Sequence, residues 1–153
     1  MNKEAKKIAL YRRVNGFTGP LARTRWHWRT RSIARLLAQW VWWRNAGQPR
    51  QGAAAIAQEW QRLFGLPQFW PIKRLSAHTA YCEILFPCAL EGTGDLAACH
   101  RLMEYDRALL KKIGGELIVL QSRADPRVTG SCKVAIRSLN TAHPELIHTH
   151  LLD

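Results

Sequence analysis

Two spacings of apolar residues divide this chain into elements. From Ser32, the residues Ile33, Leu36, Leu37, Trp40 and Val41 fall at i, i+3, i+4, i+7 and i+8. That is one apolar stripe of an amphipathic helix, widened by Trp42 and Trp43 and ended by Gly47 and Pro49. After a short connection at Gln51–Gly52, Ala53 to Phe64 predicts a second helix, with Ile56, Trp60, Leu63 and Phe64 inward and a stop at Gly65-Leu66-Pro67. Two helices joined by a short turn predict an antiparallel pair. Extended structure is expected to begin near Phe69-Trp70-Pro71-Ile72, because each proline biases its predecessor away from helix.

From Ala80 to Phe86 the period changes to two. Cys82, Ile84 and Phe86 share one face of a predicted strand, and Tyr81, Glu83 and Leu85 share the other. Leu96 to Ile113 predicts the longest clean helix. Its inward face is Cys99, Leu102, Met103, Asp106, Leu109, Leu110 and Ile113, and Gly114-Gly115 closes it. Strands over 117–123 and 131–137, joined by a loop containing Asp125-Pro126 and Gly130, predict a β-hairpin on which Cys132, Val134 and Ile136 point one way. Residues 1–30 carry Gly16, Gly19 and Pro20, and the reading there is irregular or only partly helical. The whole predicts an α+β fold: N-terminal helices packed on a small, mostly antiparallel sheet, with the central helix followed by the hairpin. Residues 1–31 form a basic, Trp-rich segment. Residues 32–153 form a single domain, made of the helical pair (32–65) and a cysteine-containing core (80–137).

A hydrophobic content of 47% excludes a disordered chain. No apolar run approaches bilayer length, and no apolar segment of signal-peptide length follows the basic start, so a cytoplasmic location is expected. The four cysteines are then expected as thiols, and none is spaced C-x-x-C. Net charge is +12, unevenly placed: residues 1–50 hold twelve Lys and Arg against one acid, Glu4. Within that third, Arg23-Thr24-Arg25-Trp26-His27-Trp28-Arg29 interleaves guanidinium groups with indoles. Such a patch suits an anionic membrane surface or a partner protein. The competing reading packs the indoles on the body with arginine heads in water. No nucleic-acid motif accompanies it, so DNA or RNA is not an expected partner. Self-association is left open.

Candidate chemistry lies between residues 82 and 137. Asp106 interrupts an apolar stripe, at a cost of several kcal/mol unless it is paired or hydrogen-bonded. It is therefore expected to face a polar cavity or a specific partner. Cys99 sits about two turns away, roughly 10 Å, on the same face. It lies near a helix start, where the dipole favours a thiolate. Cys88 falls just past a strand end. Arg123 could pair with Asp106 or hold a substrate carboxylate. Cys132 and His100 complete the candidate set, although His100 points outward on the helix and Cys82 reads as a core residue. Three thiolates with Asp106 or His100 could bind zinc, but intervals of 10 and 32 residues between the cysteines match no tight zinc motif. No metal or cofactor is expected. The His148-x-His150 pair near the C-terminus is assigned to solvent.

The order Cys82-x-Ile84-x-x-x-Cys88, Cys99-His100, Tyr105-Asp106, then Arg123 with Thr129-Gly130-x-Cys132, resembles bacterial L-2-amino-thiazoline-4-carboxylic acid hydrolases. The resemblance covers roughly residues 80–137. Compared with that family, the Cys-to-Asp interval is longer and the Gly-to-Cys gap shorter. The same region is similar to vinyl-reductase-like small-ligand domains, but Gln121 and Ala124 stand where those domains have a zinc-binding Glu and Cys. Both resemblances imply an α+β domain with a ligand cavity between helix and hairpin. The expected function is hydrolysis of a small cyclic amidine or thiazoline. Cys99 or Cys88 would attack the ring carbon, Asp106 would handle the proton or bind the amidinium, and Arg123 would hold the carboxylate. The alternative is a non-catalytic small-ligand-binding or accessory protein whose basic, Trp-rich helix contacts a membrane or a partner.

Overall fold

The computed structural model describes residues 2–139, together with Leu146 and Thr149. His148 and His150 lie outside the described residues. The elements follow in the order α1 (Lys3–Ala22), α2 (His27–Arg44), α3 (Ala53–Phe64), β1 (Ile72–Leu75), β2 (Ala80–Ile84), α4 (Leu96–Leu102), α5 (Glu104–Ile113), β3 (Gly115–Gln121) and β4 (Cys132–Ser138). The α+β class and the N-terminal helices are as the periodicity predicts.

The four strands form one antiparallel sheet in the order β1-β2-β4-β3. Registers Cys82↔Val134, Ala80↔Ile136 and Leu117↔Ile136 put the predicted inward residues of three strands on one face. That face is buried under α3, with α5 beside β3. Gly115 permits the close approach. A Cβ there would lie 2.6 Å from Ile56 Cγ2 and 2.8 Å from the Arg137 carbonyl oxygen.

Three expectations need correction. First, residues 3–22 are one continuous helix rather than an irregular segment. The glycine that reads as a breaker is a packing device: at Gly19 a Cβ would lie 2.5 Å from Ala89 Cβ. Second, α2 and α3 do not pack as an antiparallel pair. Helix α3 lies on the sheet, whereas α2 rests on α5, α4 and α1. The buried line of α2 is Thr30, Ala34, Ala38 and Val41, while Leu36 and Trp40 of the predicted stripe are 70% and 54% exposed. Alanines let the helix axes approach closely, and on a helix with apolar residues nearly all round, periodicity cannot choose which face goes in.

Third, the 96–113 helix breaks at Met103, whose ψ of 0° ends α4 and starts α5. Arg107 Nη2 donates to the His100 carbonyl oxygen at the break, satisfying a helix-end acceptor. Arg107 also pairs with Glu104, and Glu104 in turn takes a 2.6 Å contact from Arg35 of α2.

Candidate functional site

A cavity of about 860 Å³ is lined by α1, α2, the C-terminal end of α3, the α4–α5 pair and the turn after β2. Helix α2 contributes Ala34, Leu37, Trp40 and Val41, and α3 contributes Leu63 and Phe64. Its size is that of a small-molecule site, and its lining is mostly apolar.

One wall is a continuous aromatic stack. Phe64 and Trp70 stack at 4.1 Å, and Trp70 stacks on Phe86 at 5.7 Å. Tyr11 of α1 meets Trp70 and Phe86 edge-on, both at 5.9 Å. The Tyr11 hydroxyl donates to the Phe64 carbonyl oxygen at 3.1 Å, which fixes α1 against the stack. Local spacing does not reveal this wall, because its residues come from α1, α3 and the two connections that carry Trp70 and Phe86. The signal available was the aromatic density of 60–86. At the opposite side from the buried wall, Lys6 and Leu10 of α1 and Trp40 and Arg44 of α2 line the cavity while remaining exposed, and so form its mouth.

Cys88, Cys99, Asp106 and Cys132 all line this one cavity. Strand β4 brings in Cys132, opposite Ile84, and the turn after β2 brings in Cys88. The break at Met103 leaves Cys99 on α4 and Asp106 on α5, both still inward. Cys82 is buried in the sheet and does not reach the cavity.

Asp106 is buried, and its Oδ1 accepts from Trp60 Nε1 at 3.2 Å. Burial pushes its carboxyl up to about 6, partly offset by the indole hydrogen bond and by Arg107. Its partner is therefore an indole, not the expected Arg123. Two further cavity residues, Thr30 and Tyr105, have buried hydroxyls with no hydrogen-bond partner among the described residues.

The thiols are the opposite of what a helix start predicts. Cys99 Sγ accepts from Ser122 Oγ at 3.1 Å, yet burial pushes the thiol up to about 12. Loss of water outweighs the half-charge of a short helix. Burial also raises Cys132 and Cys88, although each sulfur accepts one backbone N–H at 3.4 Å, from Arg123 and Leu90 respectively.

Arg123 stands behind the thiols. Its Nη2 meets Glu91 at 2.5 Å and its Nη1 reaches the Phe86 carbonyl oxygen at 3.4 Å, and it does not line the cavity. The expected carboxylate clamp is engaged by Glu91, from the turn before α4. The half-buried His100 side chain is likewise off the cavity wall. Among the described residues, no group of three or more His, Cys, Asp or Glu is placed to hold a metal ion. Comparison of the chain with protein-family models, with curated proteins and with solved structures gives no match in any of the three.

Proposed function

We propose that the protein binds a small, largely apolar and aromatic-sized molecule carrying an N–H donor. The observation that carries this reading is the cavity itself: about 860 Å³, walled by stacked aromatic rings, with a buried carboxyl in its lining. Asp106 has one neutral donor, Trp60, so a ligand N–H or ammonium would complete its hydrogen bonding. The apolar walls would supply most of the affinity and the acid the orientation. Thiols held in their neutral form by burial serve here as soft, polarisable lining.

The test uses N-phenyl-1-naphthylamine, an aromatic amine with one N–H, followed by its fluorescence. Wild-type protein is expected to bind it saturably. Leu37→Trp, which enlarges a half-buried side chain of the cavity lining, is expected to abolish binding while the melting temperature holds. Equal binding by Leu37→Trp would overturn the reading.

A second reading is favoured by one observation, that Asp106 and three thiols line the same cavity. It is cysteine-dependent hydrolysis of a cyclic amidine or thiazoline, as the resemblance of residues 80–137 implies. Cys88 is the better nucleophile of the set: it is only half-buried, and Arg123 draws its pKa downward against the effect of burial. The thiol would add to the ring amidine carbon of the thiazoline, its proton passing by way of Asp106 to the ring nitrogen as the C=N π bond breaks. The ring C–S bond would then break, freeing the ring sulfur as a thiol and leaving the carbon on the enzyme sulfur as an isothiourea. Water would add to that carbon and expel the cysteine thiol, leaving a carbamoyl product. Turnover of 2-amino-thiazoline-4-carboxylate that survives Cys88→Ser and Cys99→Ser together would exclude it.

A further inference from the structure

The outward face of α2 is largely aromatic, and none of the described residues packs over it. Trp28, Leu36, Trp40 and Trp43 are 55%, 70%, 54% and 75% exposed. At 100° per residue they span a single 120° sector, opposite the buried line of Thr30, Ala34, Ala38 and Val41. Phe17 and Trp26 extend the exposed apolar surface beyond α2. Contiguous patches of this kind mark interaction sites.

The charge beside this face selects the partner. Arg29 lies 4.3 Å over the Trp26 ring and 5.2 Å from the Trp28 ring, and Arg44 lies 5.6 Å over Trp40. The first 50 residues carry a single acid, Glu4. A second copy of the chain would bring the same positive charge against it, which opposes pairing through this face. An anionic bilayer complements it. Indoles settle at the headgroup level, and guanidinium groups bind lipid phosphates. No helix among the described residues is long and apolar enough to cross a membrane, so the contact would be peripheral.

We propose that the outer face of α2, with its flanking arginines, docks the protein on an anionic lipid surface. Trp40 and Arg44 belong both to this face and to the mouth of the cavity. Docking therefore presents the entrance to the lipid. That consequence rests on the ligand-binding reading, whereas docking itself does not.

The test is sedimentation of the full chain with vesicles of phosphatidylcholine alone and of phosphatidylcholine mixed with phosphatidylglycerol. Binding to the mixed vesicles is expected to be stronger by roughly tenfold or more, and to weaken as salt is raised. Trp28→Ser with Trp43→Ser is expected to lose most of it while keeping the naphthylamine affinity of the wild type. Conversely, Leu37→Trp is expected to keep vesicle binding, so failure of one proposal is distinguishable from failure of the other. The docking proposal is overturned by no preference for anionic vesicles, or by a tryptophan variant that binds them like wild type. It is equally overturned by a dimer that the tryptophan variant dissolves, or by tighter binding of single-stranded RNA through the same indoles.

Discussion

Asp106 carries a stability cost whose sign can be worked out. Its folded-state pKa, about 6, lies above the unfolded value of 3.8, so the folded chain holds that proton more tightly. Its contribution is most favourable below the unfolded value, is lost as pH rises between the two, and stays lost above about 6. The difference of about two pH units corresponds to about 3 kcal/mol. The neighbouring Tyr11 hydroxyl titrates elsewhere, pushed up to about 12 by burial. Asp106→Asn keeps an acceptor for Trp60 and removes the ionisation. Relative to this variant, the wild type is expected to lose about 3 kcal/mol between pH 2 and pH 8, about 2.4 kcal/mol of it above pH 4, measured by denaturant unfolding at each pH. A constant difference across that range would mean that Asp106 is not buried as described.

At the scale of elements, α1 shows how one residue type can act in two ways on the same helix. Gly16 has nothing within 4 Å of where a Cβ would lie, whereas Gly19 is pressed on Ala89. Gly16→Ala is expected to stabilise the protein by about 0.5–1 kcal/mol, through helix propensity alone. Gly19→Ala is expected to destabilise it by about 1–3 kcal/mol, because α1 must shift away from Ala89. Thermal melts of the two variants should move in opposite directions, and a shift of both the same way would show that α1 does not dock as described. The break between α4 and α5 is also an element-scale device. It lets Cys99 and Asp106 face one cavity from two helices, with Arg107 filling the bonding gap at the end of α4.

Across the whole molecule, an apolar cavity of this size forgoes packing that a filled core would have. An occupant that binds only the folded chain restores it and stabilises by mass action. A saturating naphthylamine concentration is therefore expected to raise the melting temperature of the wild type and to leave that of Leu37→Trp unmoved. The polarity of the molecule follows from its layers. The α4–α5 pair, α3 and two strands form one side of the cavity, while α1 and α2 close the other and carry most of the net positive charge. The entrance and the basic aromatic face share Trp40 and Arg44, so under the docking proposal loading from a lipid surface would need no large rearrangement.

The sequence by itself determined what depends on local spacing. Alternation at 80–84 and 132–136 set the inward face of the strands, because a period of two leaves no choice once one face is buried. The polar interruption at Asp106 announced a cavity, because a carboxyl cannot sit in an oily stripe without a reason. Tertiary structure decided everything that depends on which surfaces meet. It turned the alanines of α2 inward and the tryptophans outward, since close helix approach favours small side chains there. It gave Asp106 to Trp60 and Arg123 to Glu91, since a partner from another element is fixed by packing and not by spacing. It raised the thiols that a helix start would have lowered, since desolvation is set by the layers above a residue, which no stretch of chain encodes alone.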